Sequence, residues 1–139
     1  MVSGGFIHVK DESIKVSDIS SVRVDLATSG SRRGILTFTF FSGEVKNIDV
    51  DYYQYRTIFS NVVTAARLVQ LDVMFAVAGR SICAMSDSYN KSHNTWSVKV
   101  DLINSTSVRV GWFTCKADAH AERLSLAERI GRLEAVVRD

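Results

Sequence analysis

Two stretches of this chain alternate apolar and polar residues on either side of a short polar turn, and that pattern demands antiparallel β structure. In I-L-T-F-T-F-F, residues 35–41, Leu36, Phe38 and Phe40 fall on one face, with Thr37 and Thr39 on the other. Ser42-Gly43-Glu44 then turns the chain into V-K-N-I-D-V. In the second stretch Val98, Val100 and Leu102 point one way and Ser97, Lys99 and Asp101 the other. N-S-T-S turns it, and Val108, Val110 and Trp112 are expected to line the inner side of the return strand. β-Branched and aromatic residues dominate both hairpins, as a pleated, half-buried surface favours.

The remaining pattern places helices after these hairpins. Asp51 is expected as an N-cap, with Gln54 three residues on in the manner of a capping box. The helix it opens is expected to run to Gln70, with Tyr55, Ile58, Phe59, Val62, Ala66 and Val69 on one stripe. A closing helix is expected over residues 116–137, striped by Leu126, Ile130, Leu133 and Val137. Upstream, Phe6-Ile7-His8-Val9 and Ile14-Lys15-Val16 flank a D-E-S turn, and residues 22–26 alternate as a strand. Residues 27–34 (A-T-S-G-S-R-R-G) and 86–94 (S-D-S-Y-N-K-S-H-N) read as loops. Residues 73–85 give two short apolar runs around Ala78-Gly79-Arg80-Ser81.

Hairpins followed by a helix therefore occur twice. The expected fold is α+β, antiparallel sheet with two helices, as one domain of two degenerate halves, about 1–70 and 71–139, joined near Gln70-Leu71-Asp72. At 139 residues with 46% hydrophobic content, the chain can bury a core without disulfide staples.

This order of elements resembles the Whirly and Pur-alpha families of single-stranded nucleic-acid binders, whose units run four strands then a helix, twice over. The resemblance implies nucleic-acid binding on the sheet. The K-G-K-A-A-L motif of Whirly proteins has no counterpart here, so no functional residue is carried over. The chain is also similar in style to small accessory proteins of phages and mobile elements.

Catalytic patterns fail on inventory. His120-Ala121-Glu122 matches the H-x-E of zinc deaminases, but that chemistry needs a downstream P-C-x-x-C. The 17 residues after Glu122 hold neither Cys nor Pro. His8, His93, His120, Cys83 and Cys115 are scattered without ligand spacing, so no metal or other cofactor is expected. No G-x-S-x-G is present, and Gly30 to Gly34 lacks the Walker spacing. Cys115, just before a helix start, leaves a thiol-dependent enzyme as a distant third reading.

Binding is the expected function, with another protein as partner and an accessory or inhibitory role. The alternative is single-stranded nucleic acid, held by Arg32 and Arg33 in their loop with Lys91, Lys99, Arg109 and Lys116, and stacked on Trp96 and Phe113. A net charge of only +2 weighs against it. The charged face of the closing helix, with Arg123, Arg129 and Arg132, is a second surface, suited to a homo-oligomer. No apolar run long enough to span a membrane and no basic-then-apolar leader is read in the sequence, so a cytoplasmic location is expected.

Overall fold

A computed structural model describes residues 5–26, 33–51 and 53–138, with side chains through residue 131. The chain divides into two units, Met1–Ala78 and Gly79–Asp139. One order of elements occurs twice along the chain, two short strands, a 3-10 turn, three longer strands and a helix, with the two short strands of the second set lying inside the first unit. The fold is α+β with antiparallel sheets and two helices, as the hydrophobic pattern requires.

In the first unit β1 (Phe6–Val9) and β2 (Glu12–Lys15) form a hairpin. Its turn is Lys10-Asp11, with Lys10 at φ 55°, so the turn lies earlier than the expected D-E-S. β3 (Ile19–Leu26), β4 (Arg33–Phe40) and β5 (Val45–Asp51) make a meander, and α1 (Tyr55–Ala66) follows. Asp51 ends β5, where its Oδ1 accepts from the Tyr53 N–H at 3.0 Å; Gln54 stands at the helix N-cap without a side-chain bond. α1 stops at Arg67 because that residue turns left-handed, φ 54°, and the Leu68 N–H closes on the Val63 carbonyl at 3.0 Å.

Val69 is therefore not on the helix stripe. It opens β6 (Val69–Asp72), which pairs with β7 (Phe75–Val77), and β7 pairs with β3. The resulting sheet runs β5-β4-β3-β7-β6. Gln70-Leu71-Asp72, expected as a junction between halves, is thus a strand of this sheet. The pairing that places it, Ser21 opposite Val77, joins residues far apart in sequence, which no local pattern encodes. The core brings Val22, Val24, Leu36, Phe38, Ile48 and Val50 against Tyr55, Phe59 and Val62 of α1 and Ile7, Val9 and Ile14 of the hairpin. Each such side chain contributes ~1.5–3 kcal/mol through burial.

The second unit is a meander of β8 (Ile82–Asn90), β9 (Thr95–Leu102) and β10 (Ser107–Phe113), followed by α2 (Lys116–Arg138). β9 is central, and α2 packs on one side of the sheet. Residues 86–90, expected as loop, are the second half of β8; only 91–94 form the turn. Val98, Val100 and Leu102 are buried as the alternation predicts, and Ala119 and Leu126 of α2 are fully buried. Ile130 is half-buried, while the Leu133 and Val137 side chains lie outside the described residues. Among the described residues no helix is long and apolar enough to cross a membrane.

Candidate functional site

The two faces of the second sheet differ in what they carry. Ladder register puts Asp87, Val98 and Val110 on one face, and Tyr89, Trp96 and Phe113 further along the same face. This is the face under α2. Lys116, the first residue of the helix, lies over the Trp96 ring with its Nζ 5.5 Å from the centroid. Tyr89 packs beside Trp96 with ring centroids 5.0 Å apart.

Asp87 meets α2 directly. Arg123 Nε donates to Asp87 Oδ1 at 2.9 Å, Arg123 Nη2 donates to His120 Nδ1 at 2.7 Å, and His120 Nδ1 lies 3.5 Å from Asp87 Oδ2. The Arg123 hydrogen bond, together with its charge, outweighs desolvation and holds the Asp87 carboxyl below its ordinary 3.8. Arg129 donates to Glu122 at 3.2 Å. The H-x-E triplet is thus engaged within the unit, His120 toward the sheet and Glu122 along the helix. Among the described residues no group of three His, Cys, Asp or Glu side chains is placed to hold a metal.

The opposite face has no helix of its unit over it, and one irregularity decides its character. Val110 stands opposite Val98, but the next pair is Phe113 with Trp96, so β10 holds one residue more than β9 there. The extra residue is accommodated at Gly111, whose φ of +75° suits glycine. In an unbroken ladder Trp112 would oppose Trp96 beneath the helix, as the alternation predicts. The bulge gives that place to Phe113 and turns Trp112 to the other face, where it is 66% exposed.

Trp112 is not alone there. The His93 ring meets it edge-on at 6.0 Å. Arg109 Nη1 reaches across the sheet to Ser88 Oγ at 2.6 Å, over the central strand where Ser97 is buried. Asp101 accepts from Ser107 Oγ at 2.7 Å and has Lys99 Nζ at 3.9 Å. The face is therefore an exposed indole beside an arginine, ringed by hydroxyls and a balanced ion pair.

The sequence-derived candidates separate accordingly. Lys99 and Arg109 share the outer face with Trp112, and Lys91 is exposed in the neighbouring turn. Trp96, Phe113 and Lys116 lie on the helix side, which removes the two rings from the face expected to stack bases. Arg33 begins β4 of the first unit, in register with Asp51, and Arg32 lies outside the described residues. Arg123 bonds to Asp87 of its own sheet and Arg129 to Glu122 of its own helix; the Arg132 side chain lies outside the described residues. Cys83 and Cys115 are both free and exposed.

Trp112 and His93 share this face but are not among the sequence-derived candidates. The usable clue was V-G-W, since a glycine inside a strand pattern marks a bulge.

Comparison with protein families, with characterised proteins and with solved structures finds no match for this chain.

Proposed function

We propose that this chain is a non-enzymatic binding module, an accessory or inhibitory protein that docks another protein on the Trp112 face of the second sheet. The observation that carries the reading is the bulge at Gly111, which holds a tryptophan off the helix-covered face that its register would otherwise give it. Burying an indole two-thirds exposed, ~130 Å² of mostly apolar surface, contributes about 3 kcal/mol. Tryptophan and arginine anchors within a polar rim are the usual centre of a protein interface. A nucleic acid would need several free rings and a basic surface. Here two of the rings sit under the helix, and Lys99 and Arg109 already have partners on the face.

Affinity capture from the native source, with wild-type protein beside Trp112→Ala and Arg109→Ala, tests the reading. The expected result is one protein retained by wild type and lost with either variant. Identical retained proteins for all three chains would refute it. Retention on an oligonucleotide matrix that falls steeply with salt would also refute it, in favour of the nucleic-acid alternative.

A further inference from the structure

A second binding feature lies in the first unit. Among the described residues β1 is paired on one side only, because its sheet consists of β1 and β2. In an antiparallel pair the main-chain N–H and C=O of a residue point together, either toward the partner strand or away from it. The Val16 N–H donates to the Gly5 carbonyl at 2.9 Å, which fixes the phase. Ile7, opposite Ile14, and Val9, opposite Glu12, therefore bond to β2, while Phe6 and His8 direct their main-chain groups to the open edge.

Between β1 and α1 runs a groove of about 550 Å³. Three consecutive strand residues, Ile7, His8 and Val9, form one wall, so the strand's main chain as well as its side chains is on offer. The other wall is Ile58, Asn61, Thr64 and Ala65, one face of the helix and mostly short side chains. Among the described residues no Lys, Arg, Asp or Glu lines it.

We infer that this groove takes an extended, uncharged segment of a partner protein, added to β1 as a third strand. The open donors and acceptors match a peptide main chain, the charge-free walls match uncharged side chains, and the short helix residues leave room for both. β1 spans four residues, so the segment is of similar length, about 13 Å. A second copy of the chain fits less well, since its own β1 edge lies at the foot of the same groove, with α1 alongside. The inference rests on reading the chain as a protein-binding module, but not on the Trp112 face.

The test is selection of short random peptides displayed on phage against the full chain, followed by affinity measurements on the synthetic winner. His8→Pro removes an outward N–H that β2 does not use, which an edge strand tolerates. Asn61→Trp fills the groove from an exposed helix position, and far-UV circular dichroism checks that both variants fold. An uncharged winner whose affinity falls about tenfold or more with either variant, and holds with His8→Ala and Trp112→Ala, is the expected result. Methylating alternate main-chain nitrogens of the peptide should abolish binding. No enriched peptide, or a winner indifferent to both groove variants, would overturn the inference. A winner lost only with Trp112→Ala would overturn it too, while supporting the sheet-face reading.

Discussion

Gly111→Ala puts the bulge itself under test. A Cβ on Gly111 would stand 2.5 Å from Phe113 Cε2 and 2.6 Å from Cζ, far inside ordinary contact. The backbone there has φ +75°, which costs an L-residue ~1–2 kcal/mol. The ring is half-buried opposite Trp96, so making room for the methyl adds a further ~1–3 kcal/mol of overpacking. Lower backbone entropy in the unfolded chain offsets ~0.5–1 kcal/mol of that. The net expectation is a loss of about 2–4 kcal/mol, read as a lower urea midpoint at unchanged slope. Iodide quenching of tryptophan fluorescence should change as well, because the chain escapes the clash by moving Phe113 or by closing the bulge and turning Trp112 inward. Gly131→Ala is the control: it sits in α2 with nothing within 4 Å of the added carbon, and should gain ~0.5–1 kcal/mol. A Gly111→Ala protein within ~0.5 kcal/mol of wild type, with unaltered quenching, would refute the claim that the bulge depends on glycine.

Four further outcomes follow from the same geometry. Leu126→Ala, at a fully buried position on α2, should cost ~2–5 kcal/mol in urea unfolding, whereas Leu124→Ala, 54% exposed, should cost no more than ~0.5 kcal/mol. Thr95 Oγ1 is buried without a hydrogen-bond partner among the described residues, so Thr95→Val should stabilise by ~1 kcal/mol in the same assay. Asp87 has a folded-state pKa below its unfolded 3.8, so its stabilisation is fully present above that pH and is lost as pH falls through the lower folded value. The urea midpoints of wild type and Asp87→Asn should therefore differ most near neutral pH and draw together in acid; a constant gap would disprove the assignment. Trp112→Ala should leave stability within ~0.5 kcal/mol, as expected of a side chain serving an interface rather than the core.

Where burial follows period-two alternation, the sequence was readable: Leu36 and Phe38, then Val98, Val100 and Leu102, lie inside as their spacing requires. α2 was readable as a helix opening at Lys116, and of its expected stripe Leu126 is buried and Ile130 half-buried. The readings that failed share a non-local cause. Residues 86–90 carry no apolar stripe because the inward place in β8 goes to Asp87, which Arg123 of α2 satisfies from 36 residues away. β6 looked like the end of a helix because Val69 keeps helical spacing, and only the left-handed turn at Arg67 and the pairing of β7 with β3 say otherwise. Trp112 was assigned inward by the same alternation that succeeded for Val98, since one extra residue inverts every side chain beyond it. The composition of the outer face was therefore legible only in part: Lys99 and Arg109 were among the residues read from the sequence, but Trp112 on the same face was expected on the inner side.

The measurement that bears most directly on the proposed function is the affinity of the captured, purified partner for wild type and for Trp112→Ala, by titration calorimetry at physiological salt. The expected result is a weakening of about thirtyfold or more, with the partner's contacts elsewhere leaving residual binding and the variant's urea midpoint unchanged. Equal affinities for the two chains would contradict it and remove the Trp112 face as the docking surface.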